Sequence, residues 1–328
     1  MLAMHAPDGF LEPRVAAATA IVSIAVVAMS LRAAGRELGE RQMPLAGIAA
    51  AFLFAAQMVN FPVASGTSGH LLGGALAAIL LGPWVGCLVT TVVVVVQAIL
   101  FADGGITALG YNVLNMAIVP AFGGWALYCA FRRLLPSNGG GVVGATALAS
   151  GASVVLSAAA FSIEWLFGAS APVPFDTVFA AMVGVHALIG IGEAVISSLV
   201  VAAVLASRPD LVVGARDLTV AQIADRPKVT ARTFAIGGVI TAMVVAMVVS
   251  QFASGDPDGL ERIAADKGFA ARGGDHALGS SVFADYATSG IDNATVSLAV
   301  AGLAGVTLTL LVGFGIVSAS RRARLAPR

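Results

Sequence analysis

Lysine is nearly absent from this 328-residue chain: only Lys228 and Lys267 occur, and neither follows a glycine. No Gly-x-x-x-x-Gly-Lys-[Ser/Thr] phosphate loop can be formed, so ATP hydrolysis by that device must sit on another polypeptide. Charged residues of both signs make up only 11% and the formal net charge is zero, which leaves no basic surface to attract nucleic acid. The two cysteines, Cys87 and Cys129, lie inside apolar stretches and read as small core residues, not as a disulfide framework or a Cys-x-x-Cys metal site. What the chain has in excess is apolar residues: 58% of the total, with a mean hydropathy of +0.93. Those values lie outside the range of soluble domains and predict an all-α, polytopic bundle embedded in a lipid bilayer.

Stretches near the length needed to cross a bilayer, about 20 apolar residues, run over 15–31, 44–60, 84–101, 110–131, 142–167, 175–206, 233–252 and 293–319, with a shorter one over 70–82. Basic residues concentrate in alternate connections: Arg32, Arg36, Arg41, Arg132, Arg133, Arg208, Arg216, Arg226, Lys228, Arg232, Arg321, Arg322, Arg324 and Arg328. Placing these in the cytoplasm satisfies the positive-inside rule. It also requires an odd number of crossings, so nine transmembrane segments are expected, with the N-terminus outside and the C-terminus cytoplasmic. No signal peptide is expected, because Asp8 and Glu12 precede the first span and the basic cluster follows it. The chain divides into a membrane unit over 1–206, a charged cytoplasmic linker over 207–232, and two spans around an outer loop over 233–328. That loop holds Asp256-Pro257-Asp258-Gly259-Leu260-Glu261, with a short helix expected near 258–266, and a further histidine, His276.

Two of the four histidines carry the functional argument. His5 lies in Met4-His5-Ala6-Pro7-Asp8-Gly9-Phe10, and His70 in Gly66-Thr67-Ser68-Gly69-His70-Leu71-Leu72; both fall on the side predicted to be outside. A histidine second from a free N-terminus offers one metal its α-amine neighbour, its own amide and its imidazole, closing five- and six-membered chelate rings. One more imidazole, from His70, completes a square plane of nitrogens, the geometry that suits Ni(II) or Cu(II), with Co(II) nearby in the affinity order. Met1-Leu2-Ala3 complicates this, because an extension turns the Met4 nitrogen into a poorly donating amide; translation starting at Met4 is the expected resolution.

The two histidine motifs, with Asn60-Phe61-Pro62-Val63 before the second and Gly184-Val185-His186 through Gly192-Glu193 in a later span, resemble the substrate-binding membrane subunit of energy-coupling-factor cobalt/nickel transporters. Residues 233–328 are similar to that subunit's small companion, here fused, through Pro257-Asp258-Gly259-Leu260-Glu261. The resemblance implies a metal site of Met4, His5 and His70 for Co(II) or Ni(II) as transported ligand. It further implies a transmembrane coupling subunit and cytoplasmic ATPase subunits as partners, and residence in a bacterial or archaeal plasma membrane.

Other polar residues compete for roles. Asn60, Ser68, Asn112 and Asn115 are candidates to hydrogen-bond the ligand imidazoles. His186 and Glu193, seven residues apart, share one face of a span and read chiefly as structural or subunit contacts, since intramembrane ionisable groups are costly to retain. Asp8 suits fixing the N-terminal turn better than binding metal, and His276 is a candidate for capturing metal outside the membrane. Two further functions fit parts of the pattern. Gly66-Thr67-Ser68-Gly69 matches the motif of intramembrane serine proteases, with His186 as a partner base, and a metal sensor without transport would need the same histidines.

Overall fold

The computed structural model describes residues 5–37, 43–64, 66–218 and 229–325. The apolar stretches become helices: α1 (Pro13–Glu37), α2 (Met43–Gln57), α3 (Gly74–Leu81), α4 (Pro83–Leu100), α5 (Leu109–Val113) running through a π-helical stretch into α6 (Gly124–Arg132), α7 (Gly139–Gly168), α8 (Phe175–Ser207), α9 (Ala231–Met247), a short α10 (Gly259–Asp266) and α11 (Ala294–Leu325). Among the described residues, seven helical segments are long and apolar enough to cross a membrane. Their outer faces agree with lipid surroundings: Ile21 and Ile24 of α1 are 69% and 70% exposed, a waste of apolar surface in water but not in a bilayer. This is a multi-pass membrane protein.

One element, α3, is far shorter than the bilayer is thick, and one span is interrupted. At 1.5 Å per residue the eight residues of α3 reach about 12 Å against a hydrocarbon core of about 30 Å. The chain before it is extended, not helical, and all of α3 is buried. Ahead of it stands a feature the hydropathy pattern does not signal, a hairpin of β1 (Phe61–Ala64) and β2 (Thr67–Gly69), paired antiparallel with Phe61 opposite Gly69 and Pro62 opposite Ser68. The expected span over 110–131 is likewise interrupted: Leu114–Gly123 is π-helical with Pro120 inside it. Proline has no N–H to donate, and a wider turn is one way a helix absorbs that loss.

Consecutive long helices alternate in direction, so the connections gather at two ends. One end holds the N-terminal segment, the hairpin, 101–108, 169–174 and the loop 253–293; there Glu12 N–H donates to the carbonyl of Gly168 at 2.9 Å and Asp285 N–H to that of Phe101 at 2.9 Å. The opposite end carries most of the described arginines, among them Arg132, paired with Asp217 at 2.8 Å, while Arg14, Arg262 and Arg272 lie at the first. The first part of the expected linker is packed against the bundle: Leu211, Val212 and Ala215 are buried, and the Tyr128 hydroxyl donates to the carbonyl of Gly214 at 2.7 Å. Apolar residues at 211, 212 and 215 make this burial favourable, so the compact unit extends past residue 206. Residues 219–228 lie outside the described residues.

The loop 253–293 is ordered by local chemistry. Asp258 caps α10 by accepting from Glu261 N–H at 2.7 Å while Glu261 accepts from Asp258 N–H at 3.2 Å, a reciprocal capping box. Beyond the helix, Phe269 is fully buried, with its ring centre 5.3 Å from Phe10 and 4.6 Å from Trp165. Burying such a side chain contributes about 1.5–3 kcal/mol, enough to pin the loop over the N-terminal segment.

Candidate metal centre

The N-terminal segment is held from below. Asp8 accepts hydrogen bonds from Thr107 N–H (2.7 Å), Thr107 hydroxyl (2.6 Å), Ala108 N–H (3.1 Å) and Ile106 N–H (3.3 Å), so its carboxylate caps the approach to α5, where the helix amides favour negative charge. Asn112 grips the Ala6 peptide from both sides, accepting from its N–H at 3.2 Å and donating to its carbonyl at 2.9 Å. The Tyr111 hydroxyl donates to the carbonyl of Pro7 at 2.9 Å. Asn112, expected beside the imidazoles, thus acts on the backbone next to His5. Gly104 makes room for it: at φ +83 a side chain there is strained, and its Cβ would stand 2.6 Å from the His5 Cβ.

His70 is held from the membrane side. Both oxygens of Glu193 on α8 accept backbone N–H groups, from Leu72 at 2.7 Å and Gly73 at 2.9 Å. Glu193 is fully buried, and these charge-assisted bonds fix the extended strand that carries His70. Gly69 lets that strand pass α8, since a Cβ there would meet Ile189 at 2.7 Å. Ser68 faces the companion loop: its hydroxyl donates to the carbonyl of Asp256 at 2.7 Å and its N–H to that of Pro257 at 2.9 Å. It therefore does not support an imidazole. Its hydroxyl proton goes to the Asp256 carbonyl and not to an imidazole nitrogen, as a protease dyad would need; the Nδ1 of His186 pairs with the carbonyl of Met182 at 2.8 Å.

These two supports bring His5 and His70 together, 65 positions apart in sequence, with ring centres 6.0 Å apart in an edge-on arrangement. His5 is 3% exposed and His70 6%. They line one cavity of about 80 Å³ with His186, Asn115, Met116 and Asp258. Nδ1 of His5 faces the Asp103 carbonyl at 3.2 Å and its carboxylate at 3.5 Å, both acceptors, so it carries the ring proton; Nε2 is buried without a hydrogen-bond partner. Nδ1 of His70 faces the carbonyl of Leu71 at 3.1 Å, which makes Nε2 its basic nitrogen. Among the described residues no three side chains of His, Cys, Asp or Glu converge as a metal cluster. Met4 lies outside the described residues.

The remaining candidates separate. Asn115 lines the cavity and donates to Glu164 at 2.7 Å, with its own carbonyl oxygen unpartnered. Asn60 is buried and accepts Ser254 N–H at its backbone carbonyl, 2.8 Å, away from the imidazoles. His276 uses both ring nitrogens, accepting from Leu278 N–H at 2.9 Å and donating to the carbonyl of Gly104 at 3.1 Å, so it is a latch on the site and has no nitrogen available for metal in this conformation. Asp258 reaches the cavity edge, where burial, with the carboxylates of Glu261 and Asp103 adding to it, raises its pKa to about 8. Sequence reading passes over Asp103, Glu164 and Tyr286. Asp103 had one legible signal, a lone acid in the Gly-rich connection Ala102-Asp103-Gly104-Gly105 on the same predicted side as His5.

Comparison with known proteins identifies the family. Residues 5–211 match the family model described as the cobalt uptake substrate-specific transmembrane region, and 232–322 match the PDGLE domain. The fused nickel transport protein NikMN of Rhodobacter capsulatus is 32% identical over 97% of this chain and 98% of its own length. The cobalt transport protein CbiM of Geobacter sulfurreducens is 32% identical over 64% of this chain and 61% of its own. A solved structure of a truncated transition metal transporter, 32% identical, superimposes with a TM-score of 0.55 and covers 62% of this chain and 98% of that one. The chain belongs to the cobalt uptake substrate-specific transmembrane family of cobalt/nickel transport proteins, fused to a PDGLE domain.

Proposed function

We propose that this chain is the substrate-capture component of an ATP-driven cobalt or nickel uptake transporter. It takes the ion from outside in a square plane formed by the Met4 amine, the His5 amide and imidazole, and the His70 imidazole. The observation that carries this reading is the burial of two imidazoles, from the N-terminal segment and a distant hairpin, against one cavity with centres 6.0 Å apart. Rings on neighbouring corners of a plane, with metal–nitrogen bonds of about 2 Å, have centres roughly 4.5 Å apart. Closing the site therefore brings the rings together by about 1.5 Å. The shortage of converging side-chain ligands among the described residues fits a site that draws half its donors from the backbone.

Residues 1–206 serve as the metal-binding permease unit, 207–232 as a cytoplasmic linker and 233–328 as the companion, with nine crossings, the N-terminus outside and the C-terminus inside. The excess of arginines at the end opposite the histidines, against Arg14, Arg262 and Arg272 beside them, supports that orientation. Energy comes from a coupling subunit and ATPase subunits, since the chain has no phosphate loop of its own. The test is Ni(II) binding by equilibrium dialysis. Full chain starting at Met4 binds about one ion tightly, whereas protein retaining Met1-Leu2-Ala3, and the His5→Ala and His70→Ala variants, bind it weakly. Equal binding by all four proteins refutes the site.

A further inference from the structure

Loading the site changes which nitrogen of His5 holds the ring proton. In this conformation the proton is on Nδ1, which faces the carbonyl of Asp103 at 3.2 Å and its carboxylate at 3.5 Å. The six-membered chelate ring of the proposed plane closes through that same Nδ1, so the proton must leave it before the ion binds. A neutral imidazole then carries its proton on Nε2, across the ring. A ligating histidine nearly always donates this second N–H to an oxygen, and a buried donor left without an acceptor costs affinity.

An acceptor stands ready in the same cavity. Of the buried side-chain polar atoms without a hydrogen-bond partner among the described residues, only two belong to residues that line it: Nε2 of His5 and Oδ1 of Asn115. They become complementary once the proton moves, since Nε2 is then a donor and an amide oxygen only accepts. The other end of Asn115 fixes which atom is free. Its Nδ2 donates to Oε2 of Glu164 at 2.7 Å, and because a carboxylate accepts, the amide nitrogen faces it and the oxygen is left over. Asn115 also lies three residues, about one turn, beyond Asn112, which grips the Ala6 peptide next to His5. Glu164 keeps an unpartnered oxygen of its own, Oε1, but does not line the cavity.

We infer that Asn115 is a positioning residue for the captured ion: its Oδ1 accepts the Nε2–H of His5 when the metal occupies Nδ1, and Glu164 holds the Asn115 amide in the orientation that allows it. The ring loses one proton from Nδ1 and gains one at Nε2, so it stays neutral. The metal plane keeps its four nitrogens, with Asn115 outside it. This rests on His5 and His70 being metal ligands.

The experiment uses full-length chain starting at Met4, in detergent and with isotope-labelled histidine, and Ni(II) alone as the probe. Square-planar Ni(II) is diamagnetic, so the ring N–H signals of the loaded protein can be read by NMR. His5 is expected to carry its proton on Nε2, shifted downfield and exchanging slowly with water. Asn115→Ala is expected to weaken Ni(II) binding about 10–100-fold, the usual consequence of removing such a partner. It should also speed exchange of the His5 Nε2–H while the Nδ1–H of His70 stays as it was, a selectivity that general loosening of the fold would not give. Wild-type affinity in Asn115→Ala, or an unmoved Nε2–H signal, overturns the inference. If Asn115→Ala does not fold, rapid exchange of the His5 Nε2–H in loaded wild type overturns it. His5→Ala and His70→Ala run in parallel: if they bind like wild type, or if the loaded site is paramagnetic, the planar site itself is wrong, and if they alone lose the ion, only the role of Asn115 is.

Discussion

Replacing Glu193 by alanine tests whether the position of His70 is set from within the membrane. The carboxylate accepts two backbone N–H groups, from Leu72 at 2.7 Å and Gly73 at 2.9 Å, with no exposure to solvent. Hydrogen bonds to a charged group contribute about 1.5–3 kcal/mol each, and a buried N–H left without an acceptor costs about 1–3 kcal/mol. Removing the carboxylate also relieves its own burial. The net loss is therefore about 2–4 kcal/mol, a sizeable part of a total stability of about 5–15 kcal/mol. Gly73, at φ +75, has no regular secondary structure to fall back on, so the loss should appear locally. Hydrogen exchange should speed up at the Leu72 and Gly73 amides, Ni(II) affinity should fall at least tenfold, and Glu193→Gln, which keeps one acceptor oxygen, should lie between. Unchanged affinity together with unchanged exchange at those two amides would refute the assignment of Glu193 as the support of His70.

Three further outcomes are expected. Gly104→Ala forces a Cβ to 2.6 Å from the His5 Cβ at a positive φ; Ni(II) binding by dialysis should be lost more severely than thermal stability, and a wild-type affinity would show that the 101–105 connection does not shape the site. Asp258 has its pKa raised to about 8 by burial, with Glu261 and Asp103 adding to it and the three histidines His5, His70 and His186 sharing its cavity. A carboxyl whose folded pKa lies above its unfolded value is best tolerated when protonated. Docking of the 253–293 loop should thus be strongest below pH 4, weaken up to about pH 8 and then level off, and Asp258→Asn should flatten that profile in hydrogen exchange of α10. Metal binding runs the other way, because the amine and amide of the chelate must lose protons: Ni(II) affinity should fall steeply from pH 8 to pH 5, and a flat titration would contradict amide ligation.

How much of this was legible in the sequence depends on the length scale of the signal. The helices were legible because lipid admits only a backbone that satisfies itself, so long apolar runs have few other outcomes. Helix α10 was legible because Asp258 and Glu261 stand at capping-box spacing. The hairpin was not, since strands of four and three residues give no periodicity to read; the short segment over 70–82 was expected, and only its extended start before Gly74 was not. The roles of the polar residues were legible only in part. Asp8, expected to fix the N-terminal turn, instead accepts from Ile106, Thr107 and Ala108, 98 to 100 positions away, and Asn112, Ser68 and His276 likewise took partners 106, 188 and 172 positions away that no spacing announces.

The sequence by itself determined the class of protein: apolar excess required a membrane bundle, and two histidine motifs marked His5 and His70 as candidate ligands. Tertiary structure alone decided which groups stand around those histidines. Glu193 under His70, Asp103 beside His5 and Tyr286 behind Asp103 come from three separate parts of the chain. Their meeting follows from how helices pack and loops close, a consequence of shape and burial over the whole molecule that local residue order does not encode.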